Sequence, residues 1–382
     1  MSSLEYILGR LAEGLEHRFK RAKLNTDGED GSFKLNVGDM AQRFTLGVIF
    51  SLTYKRDDEI DFIAEHDTWA TQMEQASQQI LHPVVGLAVS LPFFRPIAQF
   101  LIEFHTLGRL NSRIVDFINK ATDSNRVARE QHEKIQRRES NASADYKEKP
   151  FSSLKGTPNF KRRLVDTIID AYVEKRISYE TYVGSVQFLL LAGFETTADT
   201  ITCIIWQLSQ NPQIQEKLRR AFQAEGLDAE YVTWVINESL RWHPPVPLGT
   251  GRILGEDVTV NGTFLAKGTF VMPSAYSIHH DKSIWGENAD EFFPERWRDS
   301  KNFHPAAFVA FGLGPRNCIG GKLAVHEIKM MLQLVLSKYK LEKCSETPEE
   351  WSFSSPGMIY TTLDQDIYVK FVPLSEKSAN SN

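Results

Sequence analysis

Residues 311–320 read FGLGPRNCIG and bring a single cysteine, Cys318, to the start of a long helical pattern. Gly312, Gly314 and Gly320 allow tight turns, so backbone N–H groups can approach the sulfur atom. The start of a helix stabilises negative charge and lowers the pKa of a thiol. This placement predicts that Cys318 is a nucleophile or a metal ligand, whereas a lone cysteine is more often a buried structural residue.

A second unusual stretch is the apolar, almost uncharged run at 182–208, which contains AGFETT at 192–197. Glycine and threonine are poor residues for a helix interior, and threonine hydroxyls can bond back to helix carbonyls. The isolated Glu195 is also costly to bury. The residues alone fit a solvent-facing turn as well as they fit a functional site.

The rest of the chain predicts a mainly α fold with a minor β portion. Helical spacing dominates the first 120 residues, returns at 161–210 and is strong again at 322–339, whereas 246–275 is strand-like with glycine punctuation. The polar segment 120–163 predicts a solvated connection, and residues 374–382 predict a polar tail.

Composition excludes several classes of protein. The 382 residues are 42% apolar and 24% charged, which is ordinary for a globular chain. A net charge of −5 gives no global attraction to nucleic acid, so no nucleic-acid partner is predicted. Three cysteines, Cys203, Cys318 and Cys344, cannot form a disulfide framework and fit a reducing compartment.

The N-terminal region predicts an amphipathic helix, because apolar residues recur at helical spacing between Leu4 and Phe19. No run reaches about 18 consecutive apolar residues, so no transmembrane anchor is predicted. The uncharged stretch 75–94 fits either a buried helix and loop or an apolar surface that dips into a bilayer.

The cysteine loop resembles the heme-binding signature of the cytochrome P450 family, Phe-x-x-Gly-x-x-x-Cys-x-Gly. The resemblance implies that Cys318 is the axial ligand of heme b and that Arg316 contacts a heme propionate. It likewise implies that Arg252 contacts a propionate from a strand. The cofactor-binding residues implied by the resemblance are Phe311, Gly312, Gly320, Arg252, Arg316 and Cys318.

Two more motifs resemble the family. Glu238-Ser-Leu-Arg241, followed by prolines, and Arg296 within FPERW imply a buried ionic triad that holds the loop before the cysteine. AGFETT resembles the oxygen-activation motif, in which Thr196 orients dioxygen and Glu195 relays protons.

The resemblance implies a heme-thiolate monooxygenase that inserts one oxygen atom from O2 into a small apolar substrate. Because no flavin or nicotinamide motif is present, electrons are expected from NADPH through an external cytochrome P450 reductase, with cytochrome b5 as a possible second donor. Substrate contacts implied by position are Phe194, Val246, Leu248 and Met358.

The microsomal drug- and steroid-oxidising branch, which includes thromboxane synthase, is the nearest likeness. It implies the cytosolic face of the endoplasmic reticulum membrane, touched through the segment near 80–95. Two alternatives stay open: a heme-thiolate isomerase or dehydratase of a lipid peroxide, and an inactive heme-binding chain.

The family's N-terminal part has no counterpart before Met1. We therefore expect residues 1–382 to form a single, partial cytochrome P450 domain that lacks the first β-sheet, the first helices and a membrane anchor.

Overall fold

The computed structural model describes residues 3–24, 31–54, 165–249, 251–354 and 361–374. Within these ranges the chain is mainly helical with a minor β portion, which is the fold class predicted from the sequence. The helices are α1 (Ser3–Leu24), α2 (Val37–Tyr54), α3 (Asp166–Val173), α4 (Tyr179–Gln210), α5 (Pro212–Glu225), α6 (Glu230–Trp242), α7 (Ala275–His279), α8 (Lys282–Trp285) and α9 (Gly321–Leu336).

Short strands and 3-10 turns complete the described part of the chain. The strands are β1 (Phe33–Asn36), β2 (Arg252–Ile253), β3 (Val258–Val260), β4 (Thr263–Leu265), β5 (Phe270–Val271), β6 (Tyr339–Glu342), β7 (Phe353–Ser354), β8 (Thr362–Leu363) and β9 (Tyr368–Pro373), and the 3-10 turns are Gly226–Asp228, Pro294–Asn302 and Gly314–Arg316.

Three sequence predictions fall on residues outside the described ranges. These are the polar connection 120–163, the uncharged stretch 75–94 with the membrane-contact segment near 80–95, and the tail beyond Leu374.

Helix α4 is the central element of the fold. The Ser178 hydroxyl caps its first turn by accepting from the Thr181 N–H at 3.2 Å, and Pro212 opens the next helix just after its end. Among the described residues it is the one helix long and apolar enough to cross a membrane, and 56% of its most apolar window is buried inside the protein. Its far half, from Ala198 onward, lies in the main hydrophobic core.

Helices α2 and α4 pack closely because a glycine lies at their crossing. A Cβ atom at Gly193 would lie 2.7 Å from Cδ1 of Ile49, which is too close for two carbon atoms. The Thr45 hydroxyl of α2 also donates to the Phe194 carbonyl of α4 at 3.0 Å. Gly193 therefore has a packing role in addition to its place in the AGFETT motif.

The largest sheet is antiparallel, in the order β1–β9–β6. The rings of Phe33 and Phe371 stack across its strands at 5.4 Å, and Phe19 of α1 packs edge-on against Tyr339 at 5.4 Å. Leu8, Leu15 and Phe19 are buried, which confirms the amphipathic N-terminal helix.

The predicted helix at 322–339 was wrong at its C-terminal end. Helix α9 ends at Leu336, and Tyr339 instead begins β6, where it pairs with Pro373 of β9. Pairing in the sheet overrides the helical periodicity of the sequence. In the sheet, the backbone of Tyr339 pairs with β9 and its ring packs against neighbouring aromatic rings.

Because α2 and α4 pack closely at Gly193, a glycine-to-alanine substitution should have opposite effects on stability at two positions of α4. Gly184→Ala, where nothing lies within 4 Å of the new Cβ, should raise the free energy of unfolding by about 0.5–1 kcal/mol. Gly193→Ala should lower it by about 1–3 kcal/mol, because buried Ile49 must move. Urea unfolding measures both. Equal stabilisation by the two alanines would contradict the close packing of α2 against α4.

Candidate functional site

The cysteine loop is held in shape by its own backbone. The Cys318 N–H donates to the Phe311 carbonyl at 2.7 Å, and the Gly312 N–H donates to the Val309 carbonyl at 2.9 Å. Gly312 and Gly314 have φ of +70° and +71°, a region that side-chain-bearing residues rarely adopt. The loop therefore needs glycine at both positions, as its sequence suggested.

The loop ends where α9 begins. Gly320 directly precedes the first helical residue, Gly321, and a Cβ at Gly321 would lie 3.2 Å from the Phe311 ring. Glycine at residue 321 thus lets the Phe311 ring lie close against the helix start. Cys318, two residues before Gly320, is exposed.

The three cysteines have different surroundings. Cys203 is buried within α4, and burial raises the pKa of its thiol, so it stays protonated and inert. Cys344 is half-buried and accepts a hydrogen bond from the Thr347 hydroxyl at 3.4 Å. Cys318 is the exposed one, so it is the thiol best placed to bind a group from outside the chain.

Glu238, Arg241 and Arg296 come together as a fully buried ionic triad. Arg241 grips both carboxylate oxygens of Glu238, with Nε 3.0 Å from Oε2 and Nη2 2.9 Å from Oε1. Arg296 Nε donates to Oε1 at 2.9 Å. The Trp297 indole N–H (3.0 Å) and the Phe293 N–H (2.8 Å) also donate to this carboxylate, so it has five donors.

The two arginines also bind backbone carbonyls. Arg241 Nη1 donates to the carbonyls of His279 and Ala289, each at 2.7 Å. Arg296 Nη2 donates to the Asn288 carbonyl at 2.8 Å, and its Nη1 donates to that of Trp285 at 3.1 Å. The triad thus fixes the irregular chain that follows α7.

His279 connects the triad to the cysteine loop. Its carbonyl accepts from Arg241, and its ring Nε2 accepts from the Val309 N–H at 2.9 Å. Val309 in turn accepts from Gly312 inside the loop. A continuous hydrogen-bonded path therefore runs from Glu238 through Arg241 and His279 to the chain that carries Cys318.

The His279 ring is neutral in this arrangement. Nε2 accepts a hydrogen bond, so it carries no proton. Burial, with the positive charge of Arg241 as a further cause, lowers the pKa of His279 to about 4. The ring can therefore hold Val309 throughout the neutral pH range.

The predicted oxygen-activation residues lie at the middle of α4. Glu195 is buried, with 8% of its surface exposed, and Thr196 is half-buried. The Thr196 hydroxyl donates back to the Ala192 carbonyl at 3.1 Å, and that of Thr200 donates to the Thr196 carbonyl at 2.9 Å. The helix continues through the motif without a break.

The two predicted propionate ligands lie in separate elements. Arg316 ends the 3-10 turn before Cys318, and Arg252 opens β2 and pairs with Val271; both are exposed. Exposure leaves each guanidinium accessible to an external carboxylate.

The predicted substrate contacts divide into three groups. Phe194 is 1% exposed and packs with Ile49 and Phe50 of α2, so the structure places it in the core. Val246 and Leu248 are half-buried, after α6. Met358 lies outside the described residues.

The sequence analysis missed His279, Trp297 and the backbone of Phe293 as parts of the site. Phe293 and Trp297 lie inside the FPERW motif, but their contacts with Glu238, like that of His279 with Val309, join residues 30 or more positions apart, so the motif alone did not reveal them. From the sequence alone, site residues could be recognised only where they belong to a short motif.

The described structure thus combines a mainly helical fold with an exposed cysteine on a loop that a buried Glu–Arg–Arg network anchors. The family model described as Cytochrome P450 matches residues 11–371. The chain belongs to the cytochrome P450 family, and membership implies a heme cofactor.

Curated relatives share sequence with about half of this chain. A putative cytochrome P450, CYP13A3, from Caenorhabditis elegans is 35% identical over 213 residues, which is 53% of this chain and 40% of the relative. Human cytochrome P450 3A7 is 32% identical over 205 residues, 50% of this chain and 40% of the relative. The matched part thus spans about two fifths of the length of these relatives. The predicted loss of the first sheet and helices stays a prediction.

Breaking the triad should be strongly destabilising. Arg241→Met removes the bidentate partner of Glu238 and leaves the buried carboxylate undercompensated, so the free energy of unfolding should fall by about 3–5 kcal/mol. Arg220→Met, which removes an exposed i,i+4 pair with Glu216, should cost less than about 0.5 kcal/mol. Guanidinium unfolding measures both, and equal losses would contradict the structural role of the triad.

The lowered pKa of His279 predicts how the free energy of unfolding depends on pH. Because its folded pKa lies below the ordinary value, the unfolded chain alone takes up this proton as the pH falls from about 6.5 to about 4. The free energy of unfolding should therefore decrease over that window, by roughly 3 kcal/mol from this residue. His279→Gln, which keeps an acceptor for Val309, should remove that part of the slope, and His17→Gln on the exposed face of α1 should not. Parallel slopes in wild type and His279→Gln would show that the ring is not held neutral.

Proposed function

We propose that this chain is a heme-thiolate monooxygenase of small apolar molecules. In the reaction, one oxygen atom of O2 enters a C–H bond of the substrate and the other leaves as water. Two electrons from NADPH, delivered through an external reductase, and two protons from solvent complete the balance. The observation that carries this proposal is the exposed Cys318 on a loop that the buried triad anchors.

The residues of the loop fit a heme. A thiolate is a soft ligand suited to iron, and Cys318 is both exposed and close to the N-terminus of α9, where negative charge is stabilised. A Cβ at Gly320 would lie 3.9 Å from the Cys318 sulfur, so residue 320 is directly beside the sulfur.

We assign cofactor contacts to the residues of this loop and to one strand. Cys318 would bind the heme iron through its sulfur, Arg316 and Arg252 would pair with propionates, and Phe311, Gly312 and Gly320 would contact the heme. Heme with a thiolate ligand supplies cleavage of the O–O bond. The protein supplies the thiolate, its orientation and the exclusion of competing ligands.

Glu195 and Thr196 give the chain a means of moving protons. A buried carboxyl group on α4 can hold a proton away from bulk water, and the adjacent Thr196 hydroxyl can pass it on or orient a water molecule. These residues favour oxygen activation, which consumes protons, over the isomerase or dehydratase alternative.

The partners follow from this chemistry. An NADPH–cytochrome P450 reductase, with cytochrome b5 as a second donor, would approach the face that carries Cys318, where exposed Lys322 can attract an acidic partner. We also propose a place on the cytosolic face of the endoplasmic reticulum, with membrane contact through the segment near 80–95.

The substrate is proposed as a small apolar molecule. The half-buried Val246 and Leu248 offer apolar contact surface after α6, whereas Phe194 shapes the site from within the core. Met358 remains a proposed contact by its position in the sequence alone.

Carbon monoxide binding to the reduced, hemin-loaded protein tests the proposal. Wild type should give the red-shifted Soret band of a thiolate-ligated heme, and Cys318→Ala should lose it completely, because no other residue takes the sulfur's place. Cys344→Ala should keep the band, since that half-buried thiol already bonds to Thr347.

Two results would overturn the assignment. One is a shifted band that survives in Cys318→Ala, and the other is a wild-type protein that takes up no heme. A normal band without NADPH oxidation in the presence of reductase would instead favour the isomerase or dehydratase chemistry.

A further inference from the structure

A second buried polar cluster lies one turn along α4 from Thr196. It consists of Asp199 on α4, His243 directly after α6, and Thr361 directly before β8. The Asp199 side chain is 9% exposed, the His243 side chain is fully buried, and Thr361 is 3% exposed. No motif in the sequence connects these residues, which lie 44 and 118 positions apart.

A single oxygen of the Asp199 carboxylate accepts both hydrogen bonds of the cluster. His243 Nε2 lies 2.8 Å from Asp199 Oδ2, and the Thr361 hydroxyl lies 2.9 Å from the same oxygen. A hydroxyl has one proton, and the alternative acceptor for Thr361, the Pro245 carbonyl, is farther away at 3.3 Å. Thr361 therefore donates to Asp199, while its backbone N–H donates to the Pro245 carbonyl at 2.8 Å.

Aromatic rings enclose the cluster. Trp351 and Phe353, the latter in β7, meet the His243 ring edge-on at 5.2 Å and 4.6 Å between centroids. Thr361 is itself only 3% exposed, and this burial argues against a hydrolytic use of the Asp–His–Thr set. Within the described chain, Asp199 Oδ1 and His243 Nδ1 are buried without hydrogen-bond partners.

A buried polar cluster with two unmatched atoms is poorly explained by stability alone. Such atoms cost free energy, and an apolar set of the same shape would avoid that cost. The cluster does join three segments of the chain by directional hydrogen bonds. Apolar contacts alone would fix the relative positions of these segments less strictly. Its value therefore lies in fixing the relative position of those segments.

The segments so joined carry predicted parts of the oxygenase site. Asp199 follows Thr196 by three positions, so the two residues lie on neighbouring parts of the same helix face. His243 precedes Val246 by three positions, and Thr361 binds the Pro245 backbone between them. The cluster thus ties the proton-handling turn of α4 to the stretch that bears Val246 and Leu248.

We propose that Asp199, His243 and Thr361 are positioning residues that hold Glu195 and Thr196 in register with the substrate-facing stretch after Pro245. This inference rests on the proposed monooxygenase function. In that reaction the register decides whether reduced oxygen attacks the substrate or escapes as hydrogen peroxide. Loosening the cluster should therefore raise peroxide release without removing the heme ligand.

Substitution of the Thr361 hydroxyl tests the proposal in the hemin-loaded, full-length chain. Thr361→Val removes the hydroxyl and keeps the shape, Thr361→Ser keeps the hydroxyl, and Thr202→Val is the matched control. Thr202 is a buried threonine of α4 whose hydroxyl bonds only within its helix, to the Ala198 carbonyl at 2.8 Å. The measurements are the carbon monoxide spectrum, amide hydrogen exchange, and, with NADPH–cytochrome P450 reductase added, peroxide formed per NADPH with 7-ethoxycoumarin as the apolar probe.

Thr361→Val should keep the thiolate spectrum. Its amide hydrogens should exchange about five-fold faster than those of wild type in peptides covering 192–200 and 244–249. A several-fold larger share of the electrons from NADPH should end in hydrogen peroxide. Thr361→Ser should behave like wild type, and Thr202→Val should leave the 244–249 peptide unchanged. Equal exchange at 244–249 in the two valine variants would overturn the proposal. A wild-type protein without the thiolate spectrum would count against the monooxygenase function, and the exchange comparison would still decide whether the cluster joins the segments.

Discussion

The buried carboxylate of Glu238 is the point on which the site depends. Five donors surround it, and three of them belong to the two arginines, which also bind backbone carbonyls of the chain that leads to the cysteine loop. A buried carboxylate is tolerated only when its hydrogen-bond donors and positive partners compensate it fully. The loss of one partner therefore leaves its negative charge uncompensated in the protein interior. The position of the cysteine loop is thereby coupled to the correct folding of α6.

His279 transmits this constraint over a long distance in sequence. Its carbonyl and its ring bind partners on opposite sides, Arg241 and Val309, so one buried residue spans the gap between the triad and the loop. A neutral imidazole suits the task because it can accept a hydrogen bond without bringing a second positive charge next to Arg241. The geometry of the cysteine loop thus depends on residues well away from the sulfur atom.

The sequence allowed prediction of those features that rest on local chemistry. The mainly helical fold, the amphipathic α1 and the family followed from periodicity and from the motifs around Cys318, Glu238 and Thr196. Features that rest on long-range pairing escaped it: the end of α9 at Leu336, the bridge through His279, and the Asp199–His243–Thr361 cluster. Gly193 shows why, since its contact with Ile49 exists only once α2 crosses α4.

The most direct test of the account is the vibrational spectrum of the iron–ligand bond in the hemin-loaded protein grown on cysteine labelled with sulfur-34. An iron–sulfur stretching band that moves to lower frequency on labelling, and that is missing from Cys318→Ala, is the predicted result. A spectrum without any sulfur-sensitive band, or one typical of a nitrogen ligand, would contradict the claim that this cysteine binds the heme.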